Sequence, residues 1–315
     1  MSEITTGKAN LEIFGETLLE EGKKNSNLIV VTSDSRGSGK IVPFGKELPD
    51  QIIEVGIAEQ NLVGVCSGLA AGGKIVFGVS PASFLTARSL EQIKNDVAYS
   101  DQPVTLVGIS AGISYGQLGS THHSLHDYAV LRTINNLTIV SPADNFEASE
   151  VIRKAISFNK PLYIRYGKKP MINLHKKGSN FEIGKASIIC EGNDITIIGT
   201  GETVQRAFLA SRILKEDGVN AEVISMHTIK PFDEDALMKS IKKTNCLISV
   251  EEHSIYGGLG ECCASLISQA GYNTKFKILG IPDEYMINGS QADVLDHYDM
   301  SPEKISDISK SLLNQ

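Results

Sequence analysis

The 315 residues contain no tryptophan, and the five cysteines, Cys66, Cys190, Cys246, Cys262 and Cys263, include no CxxC spacing. An odd count whose only close pair is adjacent argues against a disulfide framework and points to free thiols. Nor is there an excess of positive charge: 30 Lys and Arg face 37 Asp and Glu, for a net charge of -7. That balance disfavours a nucleic acid backbone or an anionic membrane as partner. No run approaches the ~20 uninterrupted apolar residues of a membrane span, and residues 1–20 lack the basic, apolar and small-residue order of a secretion signal, so a cytoplasmic chain is expected. What is present is ordinary globular composition, 41% hydrophobic and 21% charged. The length exceeds that of one small core, because domains usually run to about 100–200 residues, and two domains are expected.

Short apolar runs at 28–32, 51–55, 74–77, 104–109, 137–140 and 162–165 alternate with polar or glycine turns and helix-length segments. This alternation predicts βαβ units on a largely parallel sheet. Over 58–71, Leu62, Val65, Cys66 and Leu69 fall at spacings of three and four before Gly72-Gly73, which predicts a helix with one apolar face. Between Gly167 and Phe181 the residues are basic and turn-forming with no apolar period. The boundary is expected there, giving domains 1–178 and 179–315. Beyond it, apolar runs at 194–198, 221–225, 246–250 and 275–279, with helical segments over 202–217, 233–243 and 259–270, predict a second sheet. The expected fold class is α/β, two doubly wound, largely parallel-sheet domains.

Glu59, in Val55-Gly-Ile-Ala-Glu-Gln-Asn61, begins the predicted helix just after a strand, at the carboxyl end of a parallel sheet, where open α/β folds place their ligands. It is either a helix-start glutamate that complements the dipole or a buried carboxyl awaiting a hydrogen-bonding ligand. Ser120-Thr-His-His-Ser-Leu-His126 holds three of the seven histidines, the usual acid–base groups near neutral pH. His122 and His126 are four apart, as helical zinc ligands are, but no Glu follows His122 and no third ligand stands out, so no metal ligands are assigned to this chain. A helix-start cluster with one buried, satisfied imidazole is the other reading. Gly199-Thr-Gly-Glu-Thr-Val204 has two glycines of a dinucleotide fingerprint with Val204 at the third, and tight strand-to-helix packing accounts for them equally. Tyr256-Gly-Gly-Leu-Gly260, after Glu251-Glu252, reads as a glycine-formed helix start.

Seven blocks stand in register: Glu54-Val-Gly-Ile-Ala-Glu-Gln-Asn61, Ala82-Ser-Phe-Leu-Thr86, Gly119-Ser-Thr-His-His123, Ile139-Val-Ser-Pro-Ala-Asp144, Tyr163-Ile-Arg-Tyr166, Met226-His-Thr-Ile-Lys-Pro231 and Val250-Glu-Glu-His-Ser-Ile-Tyr-Gly-Gly-Leu-Gly260. Together they resemble the transketolase family across nearly the whole chain. The resemblance is to the carboxyl-terminal two-thirds, the pyrimidine-binding and C-terminal domains of split transketolases, in which a separate chain supplies the diphosphate-binding domain. It implies a ketol transfer between a ketose and an aldose with thiamine diphosphate and Mg2+.

The resemblance implies that Glu59 hydrogen-bonds N1′ of the thiamine aminopyrimidine and that Phe84 stacks on that ring. His122 matches the histidine at the reacting end of the sugar, and Arg165 and Ser38 match residues that hold the sugar phosphate. Four residues before His122, where the family usually has a hydroxyl-reading aspartate, stands Leu118; a phosphate-binding histidine is replaced by Ser110 and an arginine near the N-terminus by Gly7. Arg36 and Lys40 offer replacement positive charge. An altered anionic sugar is implied, a sulfonated ketose such as 6-deoxy-6-sulfofructose being the named case, because losing a hydrogen-bond partner changes selectivity strongly. No Gly-Asp-Gly followed by Asn, the family's magnesium and diphosphate motif, occurs in the chain. The expectation is therefore a partner subunit that holds the diphosphate and metal, in an α2β2 assembly. The alternatives weighed are the β subunit of a 2-oxo-acid dehydrogenase, which shares both domains, a deoxyxylulose-phosphate synthase, which carries its diphosphate domain on the same chain, and a non-catalytic small-molecule-binding relative.

Overall fold

The computed structural model describes residues 4–176 and 178–315; Lys177, within the predicted boundary stretch, and residues 1–3, within the first predicted domain, lie outside them. In chain order the strands are β1 (Thr6–Ala9), β2 (Leu28–Thr32), β3 (Ile52–Glu54), β4 (Ile75–Pro81), β5 (Val104–Ile109), β6 (Thr138–Val140), β7 (Leu162–Arg165), β8 (Pro170–Ile172), β9 (Ser187–Cys190), β10 (Ile195–Gly199), β11 (Ala221–Ser225), β12 (Thr228–Lys230), β13 (Cys246–Ser254) and β14 (Lys275–Ile281). A seven-stranded sheet runs β12-β6-β7-β5-β4-β2-β3, and a five-stranded sheet runs β14-β13-β10-β11-β9. All pairings within them are parallel except those of the edge strands β12 and β9. β1 and β8 form a separate antiparallel pair.

The central strands are continuous apolar runs because helices cover both faces of each sheet. β2, β5, β7, β10 and β11 are buried along their whole lengths. On one face of the larger sheet, helix Asn10–Lys24 contributes Leu11, Phe14 and Leu18 to a core with Phe77, Val107 and Ile164. On the other, helix Glu59–Ala71 buries Leu62, Val63 and Cys66 in a core that continues through Tyr163 into Ile198, Ile224 and Leu247 of the smaller sheet. The two sheets therefore share apolar packing. Chain crossing reinforces it: β12, which follows β11 of the smaller sheet, adds an antiparallel edge strand beside β6 of the larger one.

Two glycine motifs are explained by close packing. A side chain at Gly199 meets the Val204 backbone at 3.1 Å, and Gly201, at φ +59, lies against Ser141. At Gly258 the bare backbone lets Glu251 turn back over the start of helix Leu259–Gln269, and at Gly260 it admits Ile278 of β14. The Glu251 carboxylate accepts from the amides of Leu259 at 2.7 Å and Gly260 at 2.8 Å. A Cβ on Gly258 has no room, since it falls 1.9 Å from that carboxylate. Among the described residues, no helix is long and apolar enough to cross a membrane.

Candidate active site

The carboxyl ends of the parallel strands build the site. Beyond β3 the chain turns through Gly56, at φ +71, into helix Glu59–Ala71, whose first residue is Glu59. Its side chain is 4% exposed. Beyond β4, helix Ala82–Arg88 carries Phe84 and Arg88 four residues apart and so on one face. The Arg88 guanidinium lies 4.3 Å above the Phe84 ring and donates through Nη1 to Glu59 Oε1 at 2.8 Å. A cleft of about 600 Å³, lined by Ile57, Ala58, Glu59, Gln60, Asn61 and Arg88, opens at this point.

Beyond β5 the chain bends at Ser110, a non-glycine residue at φ +53, and runs through Tyr115 to the histidines. His122 packs edge-on against Phe84, with centroids 5.3 Å apart, and edge-on against Tyr115 at the same distance. Its Nδ1 is 3.0 Å from the Thr121 hydroxyl. Lys168, beyond β7, places its ammonium 4.2 Å from the Tyr115 centroid. Glu59, Arg88, Phe84, His122, Tyr115 and Lys168 thus form a continuous row across the strand ends, with Glu59 at one end and a lysine at the other.

The three neighbouring histidines separate. His123 is buried, its Nε2 2.9 Å from the Gly116 carbonyl, and burial pushes its pKa down, which suits a neutral ring that fixes the loop. His126 faces the Thr86 hydroxyl at 3.2 Å. Only His122 of the three packs against Phe84.

Arg165 departs from its expected role. It is 5% exposed, and its Nε donates to Asp127 Oδ2 at 2.8 Å while Nη2 donates to the carbonyls of Ser124 at 3.1 Å and Glu252 at 2.7 Å. Its Cζ also lies 4.5 Å over Tyr128. Burial pushes the Asp127 carboxyl up, but Arg165, His253 and Tyr163 hold it below the ordinary range. The guanidinium therefore ties the larger sheet to β13 of the smaller one, with its Nε and Nη2 engaged inside the protein. The other expected anion-binding residues lie after β2. Arg36 pairs with Glu54 at 3.3 Å, Ser38 donates to the Ser35 carbonyl at 3.2 Å, and Lys40 approaches Glu12 at 3.8 Å. At Gly7 a Cβ falls 2.1 Å from Asn145 Oδ1, so a side chain there has to displace the Asn145 carboxamide that accepts from the Lys8 amide. Leu118 is 57% exposed at the end of the short turn Gly116–Leu118.

Sequence reasoning missed Arg88, Tyr115 and Lys168. The spacing of Arg88 from Phe84 was a usable signal; Tyr115 and Lys168 meet His122 only through the tertiary fold.

A doubly wound pair of sheets with a buried glutamate, an aromatic shelf and a histidine at the strand ends defines a cofactor-binding α/β enzyme. The family profile "Transketolase, pyrimidine binding domain" matches residues 6–171, and "Transketolase, C-terminal domain" matches residues 184–305. The chain is 42% identical over 293 residues to one of the subunits of the apulose-4-phosphate transketolase of Phocaeicola vulgatus, covering 93% of each protein. It is 40% identical to the putative transketolase C-terminal section of Methanocaldococcus jannaschii, covering 93% of this chain and 92% of that one. It is 34% identical to a 6-deoxy-6-sulfo-D-fructose transketolase subunit of Clostridium sp. (strain MSTE9), covering 82% and 80%. A solved structure described as a split gene transketolase, inactive beta4 tetramer, superposes with a TM-score of 0.89 at 30% identity, covering 98% of this chain and 99% of that one. The chain belongs to the transketolase family, of which it carries the pyrimidine-binding and C-terminal domains. It is the counterpart of the C-terminal chain of split transketolases, and its reaction class is thiamine-diphosphate-dependent ketol transfer.

Proposed function

We propose that this chain joins a separate subunit that carries the diphosphate-binding domain, in an assembly of two copies of each, and moves a two-carbon ketol unit from an anionic ketose to an aldose in the cytoplasm. The observation that carries the site assignment is the pair of contacts made by Arg88. A flat, hydrogen-bond-donating cation lies on Phe84 and bonds to the nearly buried Glu59, and an aminopyrimidine protonated at its ring nitrogen offers the same combination of a flat face and an N–H edge. The residues present therefore fit the cofactor's pyrimidine. For that ring to reach Glu59, the guanidinium must leave both Glu59 and Phe84.

In this reading Glu59 holds a proton against the pyrimidine nitrogen, in a site whose burial keeps water from competing for it. Phe84 orients the ring by stacking, and His122, packed on Phe84, hydrogen-bonds the sugar oxygens at the reacting end. When bound, thiamine diphosphate supplies the carbanion chemistry of ketol transfer, and Mg2+ with the partner subunit holds its diphosphate. The lack of a Gly-Asp-Gly and Asn motif supports a second chain for that task. The relative described as an inactive beta4 tetramer supports self-association of chains of this kind without their partner. The phosphate and sulfo groups in the names of two relatives' substrates support an anionic sugar here.

The test is reconstitution. The chain with its partner subunit, thiamine diphosphate and Mg2+ transfers ketol units, whereas the chain alone does not. Full turnover by the isolated chain contradicts the proposed division of labour, and decarboxylation of a 2-oxo acid by the complex favours the dehydrogenase alternative.

A further inference from the structure

We infer that Glu252 of β13 is a positioning residue for the reaction: through it, with Gln291 and Glu202 beside it, the C-terminal domain holds the loop that presents Tyr115 and His122 to the sugar. The inference rests on the ketol-transfer reading for what His122 meets, while the attachment of the loop stands on geometry alone. The loop after β5 is closed at its base, where the Gly112 carbonyl accepts from the Ser124 amide at 2.8 Å. Tyr115 and His122 lie between these two residues.

Both arms of that base are tied to Glu252. On one arm, Glu252 Oε1 accepts from the Ile113 amide at 2.6 Å. On the other, the Ser124 carbonyl accepts from Arg165 Nη2 at 3.1 Å, and the same nitrogen donates to the Glu252 carbonyl at 2.7 Å. The Ile113 side chain is buried in the core of the smaller sheet with Val250, Leu279 and Val294. Gly112, at φ +60, lets the carboxylate come this close, since a Cβ there falls 2.4 Å from the Glu252 carboxyl carbon. Further along the loop, Gly119 lies against Asn288, where a Cβ falls 2.9 Å from Oδ1. The loop is therefore seated on the second domain near both its base and His122, and its position follows that domain.

Glu252 is also one of two carboxyls that meet at a single amide. Gln291 Nε2 donates to Glu252 Oε1 at 2.8 Å, the oxygen that holds the Ile113 amide, and to Glu202 Oε2 at 2.8 Å. All three side chains are buried. Burial pushes both carboxyls up, and at Glu202 the neighbouring Glu252 adds to the rise. Arg165 from β7 acts against this at both carboxyls, Arg206 from helix Thr203–Glu216 at Glu252 and the Lys169 amide at Glu202, and none of them outweighs burial. Two such groups in a water-poor site do not both stay charged, so one proton remains with the pair near neutral pH. When that proton leaves at higher pH, repulsion acts on the carboxylate that holds Ile113, and the seat of the loop loosens.

The experiment has two arms. In the full chain labelled with 13Cε1-histidine, and with the His122 resonance assigned by its absence from His122→Asn, pH is raised from about 6 to about 9.5. Beyond the titration of the imidazole itself, the His122 resonance is expected to shift a second time in the alkaline range in the wild type and to lack that second step in Glu202→Gln, which keeps a neutral group at the pair. The same response to pH in both proteins overturns the inference. In the second arm, the complex with the partner subunit, thiamine diphosphate and Mg2+ is compared with its Glu252→Ala and Glu252→Gln forms. Glu252→Ala is expected to raise KM for the ketose by about 10- to 100-fold while hydrogen exchange at C2 of the bound cofactor stays within about twofold of wild type. Glu252→Gln, whose carboxamide oxygen accepts from the Ile113 amide, is expected to restore most of the lost affinity. An unchanged KM in Glu252→Ala, or C2 exchange that falls along with it, overturns the inference. Should Glu252→Ala fail to fold, the Glu202→Gln titration alone decides. If the wild-type complex transfers no ketol unit, the functional reading fails, while the histidine titration still decides whether the second domain sets the position of the loop.

Discussion

Replacing Arg88 by Leu should tighten thiamine diphosphate binding to the assembled enzyme. Arg88 bonds Glu59 at 2.8 Å and lies 4.3 Å over Phe84, so the cofactor's pyrimidine can take those partners only after the guanidinium leaves. A hydrogen bond to a charged group contributes about 1.5–3 kcal/mol in protected surroundings and a fully exposed ion pair about 0–1 kcal/mol. Arg88 is 48% exposed against a nearly buried partner, which places the pair between these limits. Stacking on a partly exposed ring adds about 0.5–1 kcal/mol. Because the released guanidinium regains water, the net cost of displacement is about 1–2 kcal/mol, or roughly 5- to 30-fold in Kd. Isothermal titration calorimetry of the complex at fixed Mg2+ measures this without reference to turnover. Leucine keeps apolar contact with Phe84 but leaves the Glu59 carboxylate without its cation, so Arg88→Leu should also lower the thermal stability of the cofactor-free chain, and cofactor should recover it. Unchanged or weaker binding by the variant refutes the reasoning, since it means that Arg88 does not occupy the cofactor's place.

Other consequences follow from the buried charges and the close-packed helix start. Arg165→Ala strands Asp127 inside the protein and should cost about 3–5 kcal/mol of stability in urea unfolding, whereas a loss below about 1 kcal/mol contradicts the structural role assigned to it. Burial and the neighbouring Glu252 push the Glu202 carboxyl up to about 8, and burial pushes Glu251 and Glu147 up to about 7. A raised carboxyl contributes stability that is present below the unfolded value near 4.5 and is lost as pH rises toward the folded value. His253 and His227, pushed by burial down to about 4 and about 3, work in the opposite sense below pH 6.5. Between pH 6.5 and 8.5 the carboxyl effect should therefore lower Tm as pH rises, and Glu202→Gln should flatten that slope in differential scanning fluorimetry; an unaltered slope counts against it. Gly258→Ala, which drives a methyl group into the Glu251 carboxylate, should lower Tm far more than Gly218→Ala, whose Cβ meets nothing within 4 Å although its positive φ also disfavours alanine; equal losses leave the packing argument without support.

Much of the fold was legible because the interior strands of a doubly wound sheet are apolar along their whole length. The runs at 28–32, 104–109, 162–165 and 221–225 coincide with β2, β5, β7 and β11. The three-residue β12 was not legible as an edge strand of the larger sheet, since its pairing with β6 spans about 90 residues and leaves no local period. The terminal helix Pro302–Leu313 was also passed over, although Ser301 caps it and its buried Ile305, Ser309 and Leu312 recur at spacings of three and four. At the candidate site, Glu59 and Phe84 meet at Arg88 and His122 packs on Phe84, whereas Arg165 turns inward. What turns it is Asp127 in one helix and the Glu252 carbonyl in β13, more than 30 and 80 residues away in opposite directions along the chain. The residue type and its place at a strand end were visible in the sequence, but its accessibility was not.

Glu59, as the group that hydrogen-bonds the cofactor's pyrimidine, is the residue on which the proposed chemistry depends most directly. The deciding measurement is the rate of hydrogen exchange at C2 of thiamine diphosphate, followed by NMR in the assembled complex with Mg2+, for the wild type and for Glu59→Gln. Glutamine keeps the size and polarity of the side chain but cannot hold the proton at the ring nitrogen, so exchange should slow by about 100-fold or more while Kd for the cofactor changes only a few-fold. Exchange at the wild-type rate in the Glu59→Gln complex contradicts this role and leaves Glu59 as a helix-start carboxylate paired with Arg88.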